Sequence, residues 1–390
     1  MAIHIGSTSG NVRSMHFGAG NISAVYRGAD KIWPNYAEDV GDVAMQNDDG
    51  FYLRNDGKVF CHHNGGALTK EYALDRSKWY PVPELSGIKR LYCNGYWLSQ
   101  NNDIIVAVDA NGTAYAKGIG NTYAFPEAGT TSFTKVTGID NIRQLIVTKD
   151  NSWVLKNDGT LWTRGNLVYS NSSALGLGEG VTAANWTRIT TNAGNIKHIF
   201  RNWSAGFGVV KNDGSVWITG SPRLEPRSTH VLTRVTTLTG VSKVAQYNQG
   251  NGYPFLALLS NGDVYGAGNN GNGELGTGNT LEYNTPVKLS VSGAVDIWNG
   301  DGSSFIKVAN GDVYAAGWNY YGGLGYGPTA NTTSTLTTFT VIPELKNVKE
   351  LSVGRIGLAL FPDETIKMGK SYLTDYGDIL PRNNRIYHRV

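Results

Sequence analysis

Six dipeptides divide this chain at nearly even intervals: Asp56-Gly57, Asn111-Gly112, Asp158-Gly159, Asp213-Gly214, Asn261-Gly262 and Asn310-Gly311. A degenerate seventh lies at Pro362-Asp363, and the steps between successive copies are 55, 47, 55, 48, 49 and 52 residues. Each pair sits between two apolar runs, as with Leu256-Ala257-Leu258-Leu259 before Asn261 and Val264-Tyr265 after it. Asn-Gly or Asp-Gly in that setting is the strongest short-range hairpin signal, because a tight turn needs positive φ near its centre. Seven hairpins at a period of about 50 residues specify a repeat architecture.

Each repeat reads as four short strands. The first carries a spaced apolar pair, Val40 with Val43, Ile88 with Leu91, Ile142 with Leu145, Ile196 with Ile199, Val241 with Val244, Ala294 with Ile297 and Val348 with Leu351. The second is a nearly continuous apolar run ending at the turn, such as Ile104 to Val108, which implies burial on both faces. The third places an aromatic three residues past the turn glycine: Phe60, Tyr115, Trp162, Trp217, Tyr265 and Tyr314, with Ile366 in the worn copy. These rings are expected to fill the wedge between blades. Three residues later stands glycine (Gly118, Gly165, Gly220, Gly268, Gly317, Gly369; His63 in the first copy), which turns the chain or admits a close backbone. The fourth strand carries an apolar-Thr-Lys/Arg-apolar tag, as in Trp186-Thr187-Arg188-Ile189, with a last copy at Tyr387 to Val390. No 3.6-residue periodicity persists for even a dozen residues, so helices are not expected. The prediction is an all-β chain: a seven-bladed β-propeller of four-stranded blades over residues 37–390, hiding most sheet edges by radial repetition. Residues 1–36 stand outside the period. There Tyr26 and Trp33 flank a Gly-Ala-Asp turn closed by Pro34, which reads as a small β-hairpin.

Composition agrees and narrows the function. Fifty glycines, 21 tyrosines and only 17% charged residues suit many strands and turns. No run of 18 apolar residues exists, so no membrane span is expected. The opening MAIHIGSTSGNVRSM has neither a basic start nor an apolar core, so no secretory signal is expected. Thirty-four basic and 31 acidic residues leave a net charge of +3 with no Lys/Arg block, which gives nucleic acid or anionic lipid little to attract. Cys61 and Cys93 are too few for a disulfide scaffold and are expected as two buried thiols.

Variable loops on a rigid scaffold are where binding resides. The segments between third and fourth strands vary most, and two are aromatic: Trp318, Tyr320, Tyr321 and Tyr326 in the sixth repeat, and Tyr169 in the third. Tyrosine among Asn, Ser and Gly suits protein or sugar surfaces, although such loops also pack on themselves. His62 and His63 are adjacent in a strand and point to opposite faces, so they do not share a metal. No paired carboxylates, Ser/His/Asp arrangement or phosphate-cradling loop stands out, so neither a cofactor nor an enzyme activity is expected.

Two resemblances follow. Gly268-x-Asn270-x-x-Gly273-Glu274-Leu275-Gly276-x-Gly278 and Gly317-x-Asn319-x-x-Gly322-Gly323-Leu324-Gly325-x-Gly327 resemble the signature of the regulator-of-chromosome-condensation family, which implies a seven-bladed propeller. Its founding member regulates a small GTPase, and a propeller of similar repeat type inhibits β-lactamases; regulator and inhibitor are therefore alternative readings. The VYxGxxxIWP spelling from Val25 to Pro34 resembles the opening segment of many tailed-bacteriophage tail and virion proteins, where it looks like an attachment piece. The expectation is thus a virion protein, located on the particle. Residues 1–36 would bind other virion proteins through Tyr26, Trp33 and Pro34, and the loops would meet a host-surface glycan or protein.

Overall fold

The computed structural model describes residues 2–5, 24–27, 30–33, 40–46, 49–54, 56–62, 69, 79–93, 104–118, 123–129, 131–148, 150–166, 175–202, 206–220, 229–246, 254–300, 302–318, 324, 335–353, 357–362, 366–368 and 386–387. Among these, regular structure is β except for one short 3-10 turn at Pro343–Leu345. Seven four-stranded antiparallel sheets follow one another along the chain, each with its strands in sequence order. Blade 1 comprises Val40–Gln46, Asp49–Arg54, Val59–His62 and Trp79–Pro81. The inner strands of blades 2 to 7 are Ile88–Cys93, Ile142–Val147, Ile196–Asn202, Val241–Gln246, Ala294–Gly300 and Glu350–Val353. Each packs beside the next, and the inner strand of blade 7 packs beside that of blade 1. No strand is shared between the two blades, and the second strand of blade 7, Gly357–Leu360, also packs against Val40–Gln46.

The turns explain the period. In blade 1 the Gly57 amide donates to the Arg54 carbonyl (2.9 Å) and the Arg54 amide to that of Lys58 (2.8 Å), which closes a tight hairpin turn. The turn glycines run from φ 74° at Gly112 to 87° at Gly311. The preceding Asp or Asn side chain accepts the amide two residues on, as at Asp158 with Thr160 (2.9 Å) and Asn310 with Asp312 (2.9 Å). Most turns also hold the next blade. The carbonyls of Gly57, Gly112, Gly214 and Gly262 accept the amides of Ile88, Ile142, Val241 and Ala294 at 2.9–3.1 Å. A Cβ on Gly112 would lie 2.3 Å from the Ile142 nitrogen. Glycine is therefore required twice there, for its φ and for the close approach.

Second strands are buried along nearly their whole length, as the apolar runs predict: Ile104 to Val108 and Trp153 to Leu155 are at most 3% exposed. The third-strand aromatics sit in the wedges as expected, though most are not fully buried. Phe60 is buried, but Tyr115, Trp162, Trp217, Tyr265 and Tyr314 are only half-buried. Each of these half-buried rings packs against the apolar cluster it shares with the preceding blade, beside second-strand residues such as Phe51, Trp153, Phe207 and Phe305, and Trp153 stacks on Phe207 with ring centroids 5.2 Å apart. The third-strand ring stands beside the turn, where a lysine stem closes over it: Lys156 over Trp162 at 5.7 Å and Lys211 over Trp217 at 4.0 Å. Opposite those rings on the fourth strand stand Arg188 and Arg234, so the Thr-Lys/Arg tag is the cross-strand partner of the aromatic.

The opening segment forms a three-stranded sheet. The expected hairpin is present as Ala24–Arg27 against Asp30–Trp33, with Tyr26 opposite Lys31 and Trp33 opposite Val25. Ala2–Ile5 pairs parallel to Ala24–Arg27, which no local pattern announced. A parallel partner arrives through a long connection and leaves no turn signature.

Candidate functional site

Antiparallel order sorts the connections of every blade onto two sides of the ring. The Asn/Asp-Gly turns and the crossings between blades share one side, here the turn face. The links from first to second and from third to fourth strand share the other, the loop face. Trp318, the last residue of Val313–Trp318, stands at the loop face, half-buried, with its amide donating to the Gly302 carbonyl at 2.7 Å. Tyr169, Tyr320, Tyr321, Tyr326 and Pro34 lie outside the described residues, so the proposed aromatic cluster is represented by Trp318 alone.

Sequence reasoning passed over the axis, which the inner strands surround. In blades 1 to 6 their pairing slips one residue after the start, between Val40 and Asp42, Ile88 and Arg90, Ile142 and Gln144, Ile196 and His198, Val241 and Lys243, and Ala294 and Asp296. A bulge re-aims the side chains beside it. Here it serves the polar residues enclosed by the apolar pair. The Gln144 Oε1 accepts the Ile199 amide of the next blade at 2.9 Å, Lys243 pairs with Asp296, and the Trp298 Nε1 donates to the Glu350 Oε1 at 3.2 Å. A polar belt thus links blade 3 to 4, 5 to 6 and 6 to 7 beside the axis. Its charge is sorted: the inner strands of blades 2 to 5 carry Lys89, Arg90, Arg143, Lys197, Arg201 and Lys243 without a carboxylate, while Asp42, Asp296 and Glu350 belong to blades 1, 6 and 7. The signal was available in the charged residues inside each apolar pair.

Beyond the belt, toward the loop face, the axis widens into a cavity of about 340 Å³ edged by Tyr92, Phe200, Arg201, Lys243, Trp298 and Asn299. The Lys243 ammonium lies 5.3 Å from the centre of the Trp298 ring. The Asn299 Nδ2 donates to the carbonyls of Ala245 (3.1 Å) and Pro254 (2.7 Å), while its Oδ1 is buried without a partner. Aromatic edges with a few fixed polar groups make a binding concavity. Lys243 is engaged by Asp296. Among the described residues, no group of three His, Cys, Asp or Glu side chains could hold a metal.

The signature loop of the fifth repeat is described in full, and it is structural. Asn270 is fully buried; its Nδ2 donates to the Thr277 Oγ1 (3.1 Å) and the Asn279 carbonyl (2.9 Å), and its Oδ1 accepts the Leu275 amide (2.8 Å). The Gly278 amide donates to the Thr337 carbonyl of blade 6 at 2.7 Å. A Cβ on Gly276 would meet the Phe339 ring of that blade at 2.3 Å. The repeat's most recognisable letters therefore hold blade 5 against blade 6.

Comparison with known proteins agrees with this geometry. Residues 261–307 match the Regulator of chromosome condensation (RCC1) repeat. No curated protein matches the chain. Among solved structures, Prp20p from Saccharomyces cerevisiae, described with its binding to Gsp1p and histones, is 14% identical over 82% of each chain, with a TM-score of 0.62. Human WBSCR16 is 14% identical over 86% of this chain and 88% of its own, with a TM-score of 0.64. Yeast RCC1 (Prp20), in its complex with Kap60, is 13% identical over 93% of this chain and 85% of its own, also at 0.64. The chain is an RCC1-like β-propeller in fold.

Proposed function

We propose that this chain is a non-catalytic virion protein of a tailed bacteriophage, attached through residues 1–36 and presenting its propeller to the host surface. The observation that carries the reading is the opening segment. Its VYxGxxxIWP spelling resembles virion attachment pieces, and its three strands pair with one another rather than with a blade. Seven blades close without it, so it serves something other than ring closure. The loop face, with Trp318 at its edge and the axial cavity at its centre, is the recognition surface for a glycan or protein.

The test is incorporation. Particles assembled with the full chain are expected to carry it through sedimentation, and a full-length Tyr26→Asp, Trp33→Ser variant is expected to stay in the supernatant. Normal incorporation of that variant, and of residues 37–390 alone, would contradict the attachment role. The RCC1 repeat match favours a second reading, regulation of a nucleotide-binding protein, the role of the resembling family's founding member; the structural neighbour Prp20p is described with its binding to Gsp1p. Accelerated nucleotide release from a candidate GTPase would support it. Because Asn270 and Gly276 are absorbed in packing, the matched residues themselves speak for fold.

A further inference from the structure

Among the described residues, the junction between blades 3 and 4 departs from the repeat. Between blades 3 and 4 no hydrogen bond joins the Gly159 carbonyl to the Ile196 amide, although Gly57, Gly112, Gly214 and Gly262 each make the equivalent bond. A Cβ on Gly159 would meet nothing within 4 Å, whereas on Gly57 or Gly214 it would strike the next blade at 2.7 or 2.8 Å. Arg143 spans the opened seam instead, donating through Nη2 to the carbonyls of Ile196 (3.1 Å) and Lys197. What remains is a turn-face groove of about 440 Å³ whose polar walls are Arg143, Asn157, Asp158, Asn195, Lys197 and Asn212.

The chemistry of that lining selects its occupant. Ile196 is buried, so the groove offers an apolar peptide anchor nothing to fill. It contains no aromatic ring on which a nucleobase could stack. Primary amides donate and accept together, which matches adjacent sugar hydroxyls. Asn195 and Asn212 are exposed, and the Asp158 carboxylate, held ionised by the Thr160 hydroxyl and amide, adds an acceptor for a further hydroxyl. Lys197 is exposed, Arg143 lies beside it, and Lys89 and Arg90 extend the positive arc of the axis. We infer that the seam between blades 3 and 4 is a binding site for an acidic saccharide, a sugar chain bearing carboxylates. The inference is independent of the attachment role, since this groove lies on the face opposite the variable loops.

Calorimetric titration of the full chain with galacturonate oligosaccharides tests it, beside neutral galactose oligosaccharides, polyglutamate and an oligodeoxynucleotide. Saturable binding of the galacturonate chain is expected, at least about tenfold tighter than the neutral one, the usual scale for a charge-assisted hydrogen bond. Lys197→Ala and Asn212→Ala should each weaken it about fivefold or more, with unchanged melting temperature, because both side chains are exposed. Absence of saturable binding would overturn the proposal. So would equal binding of polyglutamate or DNA, or an affinity that neither variant alters.

Discussion

Gly112 and Gly159 hold the same place in consecutive repeats, at φ 74° and 80°, yet only Gly112 is pressed against the next blade. Alanine at Gly159 then costs only the backbone strain, about 1–2 kcal/mol, whereas at Gly112 it must also displace the Ile142 backbone and costs about 3 kcal/mol or more. Urea melts of the two variants check the ordering, and equal losses would refute the interlock. The residues around the turn fall into two spellings with different chemistry. In Asp158-Gly159-Thr160-Leu161-Trp162 the indole donates to the Thr160 hydroxyl at 2.9 Å, which donates to Asp158 at 2.6 Å. Asp213, Ser215 and Trp217 repeat that relay. In the Asn-Gly-Asp-Val-Tyr copies the acid instead takes a lysine, Asp263 with Lys288 and Asp312 with Lys346, both at 2.8 Å. His198 supplies the pH dependence. Burial chiefly, helped by Lys197, Lys243 and Arg143, lowers its pKa to about 4, and its Nε2 is buried without a partner. The folded value lies below the unfolded one, so the contribution is complete above about pH 6.5 and is lost as pH falls toward 4, by about 3 kcal/mol at most. Asp158, Asp213, Asp263 and Asp312, all lowered, lose theirs only at more acid pH. His198→Gln should flatten stability between pH 6.5 and 4.5; an unchanged slope would remove His198 from the account.

At the scale of strands and loops, what could be read in advance was what neighbours in sequence decide. Turn glycines, buried second strands and the opening hairpin depend on residues a few positions apart, and they stand where the pattern put them. The third-strand rings reach the wedges as read, but their half-burial beside a lysine across the hairpin and a cation on the fourth strand was not visible in spacing alone. The inner-strand bulges and the parallel strand Ala2–Ile5 depend on partners farther along the chain. The axial cavity was missed for the same reason, since its lining is gathered from five blades, although charges inside each apolar pair marked the belt below it. The signature loop makes the complementary point: Asn270→Ala removes the hydrogen bonds of a fully buried side chain to Thr277, Asn279 and Leu275. A loss of about 2–4 kcal/mol is expected, with faster proteolysis between residues 268 and 283. Native-like stability and protection in that variant would show the loop to be held by other means.

For the whole molecule the decisive feature is closure. Other propellers of repeated blades need some device to join last to first, and this chain does so through inner strands lying side by side, Glu350–Val353 against Val40–Gln46. Radial repetition then leaves each wedge between two sheets, and the axis inherits a charge pattern that no single blade possesses. Every functional statement made above, whether of loop face, cavity or seam, presupposes that ring. Lys89, Lys197 and Lys349 are exposed and occupy equivalent places on blades 2, 4 and 7. Pulsed electron-electron spin-resonance distances between labels at these sites, with Cys61 and Cys93 replaced, test closure directly. In a closed ring of seven, blades 7 and 2 are separated by one blade, as are blades 2 and 4, so the Lys349–Lys89 distance should equal the Lys89–Lys197 distance. A Lys349–Lys89 distance clearly longer than the other, as in an open arc or a ring with more blades, would contradict the account.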